Sequence, residues 1–221
     1  MNEYMALLQY LYSVGKGFTL GSSVCVISLY MDTTIAYKSF KKIKKYRPHS
    51  YLQGIIMAQA NLMLVSPIMY GIVDITLLTH THEFQWFNIC AILVIHCIGY
   101  YCAHYYMHKV KWLYKLHQFH HEFDRLVLPS VGNAVSIPEF CFAYASPFII
   151  AAYILKPNET SFVVPIGIIS ILNMVIHTQE FENVRWVRWL VSPREHIQHH
   201  KKRNCHYAAP TLNIDYLLGE N

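Results

Sequence analysis

Charged residues are scarce in this sequence. Aspartate, glutamate, lysine and arginine make up 14% of the 221 residues, whereas 54% are hydrophobic and the mean hydropathy is +0.23. This balance is too apolar for an ordinary soluble globular protein. The chain also lacks a C-x-x-C motif, and five of its six cysteines lie within apolar segments. The sequence therefore indicates neither a disulfide framework nor a thiolate metal site.

No basic segment and no small-residue cleavage site precedes the first apolar run, so we expect no cleaved signal peptide. Five apolar runs approach the length that crosses a bilayer, about 17–25 residues. They cover residues 18–36, 52–78, 87–106, 140–155 and 162–176. We therefore predict an all-α fold: an integral membrane bundle of about four to five apolar helices, with a histidine-rich helical cap on the cytosolic side.

The net charge of +5 could indicate a nucleic-acid partner, but the placement of the basic residues argues against one. All lysines and arginines except Lys16 and Lys156 fall into three groups, at 38–47, at 109–125 (including Arg125) and at 185–203. If every apolar run crosses the membrane, these three groups share one face. Cytosolic loops carry such an excess of basic residues, so we predict that this face is cytosolic and expect no nucleic-acid partner.

Histidines are concentrated on the same predicted face. Two H-x-x-H-H arrays occur, one in KLHQFHHEFD (115–124) and one in EHIQHHKK (195–202), and an H-x-x-x-H pair ends the third apolar run. Residues three and four apart share one face of a helix, so we expect the imidazoles of each array to converge. The eight histidines are His104, His108, His117, His120, His121, His196, His199 and His200.

A lone histidine is more often a surface or hydrogen-bonding residue than a ligand, and His49, His80, His82 and His96 are interpreted in that way, although His96 shares a helix face with Tyr100 and His104. Two arrays of identical spacing are harder to explain by packing. His177, at the end of the fifth apolar run, is a ninth candidate. Nine imidazoles are too many for one ion and suit two, and neutral imidazole binds zinc, copper, nickel and iron. The spacing thus predicts a dinuclear, all-nitrogen metal site at the cytosolic membrane surface.

These motifs resemble the fatty acid hydroxylase/sterol desaturase superfamily of membrane di-iron oxygenases. The resemblance runs from about His96 to Gly219 and includes HYYMH (104–108), HQFHHEF (117–123), His177, HIQHH (196–200) and the closing NIDYLLG (213–219). The HHEF sequence is similar to that of C4-methylsterol oxidases. The resemblance implies two regions: residues 1–95 with the N-terminal membrane helices and a basic cytosolic loop, and residues 96–221 with the catalytic region.

Carried over position by position, the resemblance implies two ligand sets. One metal would be surrounded by His104, His117, His120, His177 and His196; the other would be surrounded by His108, His121, His199 and His200. Many family members have a second histidine four residues after the one that matches His177, but here that position is Phe181. The second metal would then have one ligand fewer, an open position, or help from Glu180, Glu182 or His206, so His206 is a possible additional ligand.

The implied activity is that of an oxidoreductase, an O2-dependent monooxygenase or desaturase acting on a sterol or fatty-acyl lipid in the endoplasmic reticulum membrane. The implied cofactors are two iron ions, with zinc able to replace them in purified protein. No H-P-G-G haem motif is present, so the electrons would come from a separate NAD(P)H/cytochrome b5-type donor. A basic surface could dock that protein; its residues are Lys109, Lys111, Lys115, Lys201, Lys202 and Arg203.

Two further expectations complete the interpretation. Tyr100 and His96 share a helix face with His104, and we expect both to line the substrate cavity. Two alternatives stay open: a catalytically silent relative with a structural metal site, which the Phe181 departure favours, and a membrane metal-binding or transport protein. A transporter would place ligands near the bilayer midplane, whereas the predicted ligands flank the spans on one side.

Overall fold

The computed structural model describes residues 3–124, 126–208 and 210–220, so Arg125 of the second basic group lies outside the described residues. The described part contains α-helices, short 3₁₀ and π turns, and no β-strand, which confirms the all-α prediction. The longer helices are α1 (Glu3–Thr33), α2 (Tyr37–Tyr46), α3 (Pro48–Ala60), α4 (Ser66–Thr76), α5 (Trp86–Lys109), α8 (Ser146–Leu155), α9 (Glu159–Ile176) and α10 (Pro193–Lys202). The shorter ones are α6 (Lys111–His117), α7 (Ile137–Glu139) and α11 (Ile214–Leu217).

Five helical segments are long and apolar enough to cross a membrane, which makes this an integral membrane protein. They are Glu3–Thr33, Pro48–Thr76, Trp86–Lys109, Ile137–Leu155 and Glu159–Ile176. The last four begin and end within a few residues of the predicted apolar runs. The first does not: it begins at Glu3 and not at residue 18, because residues 3–17 contain no proline and continue the helix despite their polar content.

Helix α1 packs closely on the second spanning segment. A Cβ atom at Gly21 would lie 1.8 Å from the carbonyl oxygen of Leu62, and one at Gly17 would lie 2.8 Å from the Cα of Pro67. Small residues of this kind let helix backbones approach each other in a membrane, where packing drives association. The two glycines therefore fix the contact between α1 and the middle of the second segment.

Two of the spanning segments contain a π-helical turn, and each turn ends directly before a Ser-Pro pair. Residues Asn61–Val65 precede Ser66 and Pro67, and residues Phe140–Ala145 precede Ser146 and Pro147. Proline has no N–H to donate and clashes with the carbonyl four residues earlier, and a widened turn relieves both problems. Pro67 thus accounts for an irregular turn within a helix that continues past it.

The two ends of the bundle differ in polarity. At one end Lys16 forms ion pairs with Asp74 at 2.9 Å and with Glu159 at 2.7 Å, which ties α1 to α4 and α9. The hydroxyl of Tyr70 also donates to Glu159, at 2.7 Å. The other end carries all the clustered histidines, on α5, α6, α10 and the turns beside them. We refer to it as the histidine end.

Buried polar contacts hold the loops at the histidine end. The carboxylate of Asp32, fully buried at the end of α1, accepts hydrogen bonds from the backbone N–H of Ser130 at 3.2 Å, from the Ser130 hydroxyl and from Tyr51 at 3.1 Å. The side-chain amide of Asn61 donates to the carbonyls of Asn133 and Val135. These contacts fix the segment 126–136 against the spanning helices.

Candidate metal centre

The structure brings all nine candidate histidines together, in two groups. Within each group one ligand atom per residue lies within 4.8 Å of every other. The five-histidine group consists of His104, His108, His117, His121 and His199. The four-histidine group consists of His120, His177, His196 and His200. All nine are buried except His108, which is partly buried.

The two groups share a wall of imidazole rings. The ring centroids of His121 and His200 are 5.0 Å apart, and those of His117 and His120 are 5.4 Å apart, although each pair joins one group to the other. Two metal-binding positions at this distance are adjacent. The arrangement therefore has the form of one dinuclear centre and not of two separate sites.

Each H-x-x-H-H array is divided between the groups, which corrects the expectation that its three imidazoles converge on one point. His117 and His121 enter the five-histidine group while His120 enters the other; His196 and His200 enter the four-histidine group while His199 enters the other. In α10 the reason is helical geometry, because residues at i and i+4, here His196 and His200, project most nearly in the same direction. His117 ends α6, so the position of His121 beside it depends on the turn that follows.

The implied ligand sets, which stay a prediction, divide the histidines differently. His104 and His117 lie with His108 and not with His177, and His200 lies with His120 and not with His108. The four-histidine group contains His177, whose partner four residues later is Phe181.

Four of the histidines have their Nδ1 atom fixed by an oxygen outside the groups. These contacts are His104 to the Tyr207 carbonyl at 2.9 Å, His117 to Glu139 at 2.5 Å, His177 to the Asn173 carbonyl at 2.8 Å and His199 to the Cys205 carbonyl at 2.7 Å. A carbonyl oxygen can only accept, so Nδ1 carries the proton and Nε2 presents a lone pair. Metal-binding histidines are oriented by contacts of this kind.

The geometry of the five-histidine group fits a cation. The Nε2 atoms of His104, His117, His121 and His108 form a closed ring of four contacts of 2.9–3.3 Å. The Tyr207 carbonyl holds the His104 proton on Nδ1, and a Glu139 carboxylate would hold the His117 proton on Nδ1 in the same way. The Nε2 lone pairs of these two rings then face each other at 3.1 Å. A metal ion between them would turn that repulsion into coordination.

Burial keeps these histidines neutral. It lowers the pKa of His177 to about 4 and, helped by the positive charges that neighbouring groups would carry, the pKa of His121 to about 3. The same causes lower the pKa well below its usual value in five others: His117, His120, His196, His199 and His200. Metal binding requires neutral imidazole, so these side chains are in the ligand form at neutral pH.

Sequence reasoning missed Glu139, the carboxylate beside His117. Its side chain is almost fully buried and lies just outside the apolar run expected from residue 140. A carboxylate within or beside a membrane-spanning segment is costly and usually marks a functional site. That signal was present in the sequence. The three carbonyl acceptors could not be predicted in this way, because every residue has a backbone carbonyl.

None of the three residues expected to replace the histidine missing at Phe181 belongs to either group. Glu180 accepts hydrogen bonds from the backbone N–H and the hydroxyl of Ser39, and Glu182 pairs with Lys201 at 3.1 Å. His206 lies outside both groups and has a left-handed backbone, with φ of 56°. Glu180 thus bonds to a residue of α2, and Glu182 pairs with a residue of α10.

An apolar cavity of about 130 Å³ runs between the spanning helices. Along α9 its wall extends from Phe162 to Asn173, eleven residues or about 16 Å of helix. At the histidine end the wall includes Tyr100, whose ring centroid is 5.1 Å from that of His104. It also includes Asn173, whose carbonyl accepts from His177. The cavity therefore ends beside both groups.

The structure places both predicted cavity residues on this wall. His96 is 1% exposed, and Tyr100 is 5% exposed. Their rings are stacked at 6.1 Å, so the face that His96, Tyr100 and His104 share leads from the middle of the cavity to the five-histidine group.

The comparisons agree with the resemblance. The fatty acid hydroxylase family model matches residues 89–220, more than half of the chain, so the chain belongs to that family. No curated protein and no solved structure matches it. Membership implies an oxidoreductase of the lipid hydroxylase or desaturase type, and such proteins typically depend on iron.

Proposed function

We propose that the protein is a membrane-bound di-iron oxygenase that hydroxylates or desaturates a lipid of the sterol or fatty-acyl type, with O2 and an external electron donor. The observation that carries this proposal is the position of the two histidine groups, side by side at the end of an elongated apolar cavity. The two iron ions, when bound, would supply the chemistry that activates O2 against an unactivated C–H bond.

The protein's own residues position the metal ions and the lipid and exclude water. The nine imidazoles would hold the two ions, five histidines at one position and four at the other. Tyr100 and Phe148 wall the cavity and leave a lipid little freedom beside the histidine groups. Because the lining is mostly apolar, water is disfavoured there, and a lipid could enter from the bilayer between the helices.

The orientation of the protein in the membrane is inferred from the placement of its basic residues. The described residues of the three basic groups lie at the histidine end, so the histidine groups would face the cytosol, and a eukaryotic protein of this kind would reside in the endoplasmic reticulum. The predicted docking surface is exposed along its whole length. Arg203 donates to the hydroxyl of Tyr114, whose ring centroid is 5.8 Å from that of the partly buried His108. This is the side on which an acidic electron carrier would dock.

The two alternatives make different predictions. A transporter needs ligands along a path, but in the described part of the chain both metal-binding groups lie at one end. A silent relative would bind metal and show no turnover. Phe181, at a position where many family members have a histidine, is the feature that favours it.

The test combines metal content with turnover. Detergent-purified protein should contain about two iron ions per chain, measured by mass spectrometry. The double variant His120→Ala/His199→Ala, which removes one histidine from each group, should lose at least one of them. Wild type should then oxidise a sterol or fatty-acyl lipid when supplied with reductant and O2. Two metals without turnover of any lipid class would support the silent relative, and metal content unchanged by the mutations would overturn the proposal.

A further inference from the structure

His96 is an unexplained polar residue in an apolar setting. Its side chain is 1% exposed, it lines the cavity, and neither ring nitrogen has a hydrogen-bond partner. Its neighbours are aromatic: the ring of Phe148 lies 4.3 Å away and that of Tyr100 lies 6.1 Å away. A buried polar group without a partner is costly, and an apolar residue would fill this position at no such cost. The imidazole therefore indicates a ligand.

The chemistry of the imidazole indicates which group that ligand carries. The backbone carbonyl of Tyr144 faces the ring without forming a hydrogen bond of normal geometry. A carbonyl can only accept, so even a closer contact would satisfy only the N–H of a neutral imidazole. The other nitrogen is an acceptor and needs a donor. In a cavity of this composition, a hydroxyl group on a lipid can supply that donor and still accept from the N–H.

The position of His96 sets the distance between the lipid's hydroxyl group and the carbon that is oxidised. His96 and His104 are eight residues apart on α5, which corresponds to about 12 Å along the helix. We propose that His96 binds the hydroxyl group of a lipid alcohol whose oxidised carbon lies on the order of 10 Å away, beside the histidine groups. This inference rests on the proposed function, because it takes the cavity to be the substrate site.

The geometry bears directly on C4-methyl oxidation, the finer activity that the HHEF sequence suggests. In a 4-methylsterol the 3-hydroxyl and the 4-methyl group are on neighbouring ring atoms. A hydroxyl at His96 would leave such a methyl group far from the histidines. The structure therefore favours an alcohol whose hydroxyl and reacting carbon are separated by a ring system or a chain.

The experiment measures selective binding and needs no turnover. Delipidated, metal-free protein in detergent is exposed to equimolar cholesterol and its 3-deoxy analogue, and separately to octadecanol and octadecane, and the retained lipids are quantified by mass spectrometry. We expect wild type to retain the alcohol of one pair about tenfold over its deoxy partner, from one buried hydrogen bond. The pair that shows the preference identifies a sterol or a chain as the ligand type.

Variants then assign the preference to the residue. His96→Phe should bring the ratio close to one, His96→Gln, which keeps a donor and an acceptor, should retain part of it, and the matched control His49→Phe at an exposed histidine should leave it unchanged. If only water bonds to His96, wild type should retain the alcohol and its deoxy partner equally in both pairs. That result would overturn the proposal, and it does not depend on whether His96→Phe folds. A preference that survives His96→Phe would do the same. Because iron and O2 are absent, either failure leaves the oxygenase activity to be judged separately.

Discussion

Nδ1 of His117 lies 2.5 Å from Oε1 of Glu139, and both side chains are almost fully buried. This contact joins a ligand candidate that follows the third spanning segment to the first turn of the fourth. It orients the His117 ring so that its Nε2 atom faces His104 and His121. A charged or strongly polar partner of this kind raises the basicity of a metal-binding imidazole and fixes its direction.

We expect Glu139→Ala to reduce metal affinity by about 10- to 100-fold, the usual effect of removing such a partner. Glu139→Gln, which can still accept from Nδ1, should lose less. The measurement is the rate at which iron passes to a chelator from purified protein. Glu83→Gln is the control, since that side chain is exposed in the loop between the second and third spanning segments, at the end of the bundle opposite the histidines. Equal retention by Glu139→Ala and the control would show that the carboxylate only fills space.

The unequal sizes of the two groups predict unequal tolerance of mutation. His199→Ala leaves four imidazoles in its group, whereas His200→Ala leaves three in the other. We therefore expect His199→Ala to retain close to two metals per chain and His200→Ala to retain about one, since three imidazoles hold an ion less tightly than four. Metal content by mass spectrometry decides the matter. Loss of both metals in either variant would mean that the ions bind only as a pair.

Acid should destabilise the metal-free protein. In the folded protein the pKa of His177 is about 4, below its unfolded value of about 6.5. A lowered histidine pKa means that the unfolded chain binds the proton more readily, so stability falls as pH decreases below 6.5 and continues to fall towards pH 4. At pH 5 one such histidine would cost about 2 kcal/mol.

The measurement is the thermal unfolding midpoint of metal-free protein in detergent between pH 8 and pH 5. The midpoint should fall over this range, and less steeply in His177→Asn, which removes one of the titrating groups. The metal-bound protein should stay stable to lower pH until protons displace the ions. A midpoint that is independent of pH would show that these histidines are already protonated or are accessible to water.

The sequence predicted the spanning segments and all nine clustered histidines because both depend on local patterns, hydropathy and helical spacing. It did not predict how the histidines divide, because that division depends on the directions in which α5, α6 and α10 cross. Each array looks like one face of a helix, yet His117 ends α6 and His120 begins a 3₁₀ turn. Glu139 and the carbonyls of Tyr207 and Cys205 come from distant parts of the chain, and only the folded arrangement brings them to the site.

Gly132 fixes the position of His177 by leaving room for it. A Cβ atom at Gly132 would lie 3.1 Å from Nδ1 of His177 and 3.1 Å from the side-chain nitrogen of Asn173. Gly132→Ala should push the His177 ring by a few tenths of an ångström and weaken metal binding in the four-histidine group several-fold. Gly167→Ala on α9, where a Cβ atom would meet nothing within 4 Å, is the matched control. Metal titration should give a lower affinity for Gly132→Ala than for Gly167→Ala. Identical affinities would place His177 outside the centre.

The contact between α1 and the second spanning segment should depend on Gly21. Its Cβ would lie 1.8 Å from the Leu62 carbonyl oxygen, which is backbone and cannot rotate away, so Gly21→Ala must separate the two helices. We expect a loss of about 1–3 kcal/mol or more, the range for an overpacked interior. Gly15→Ala on the same helix, with nothing within 4 Å of the added methyl, should be neutral or slightly stabilising, since alanine favours a helix over glycine. Unfolding midpoints of the two variants in detergent measure the difference. Equal midpoints would show that α1 is not held against Leu62.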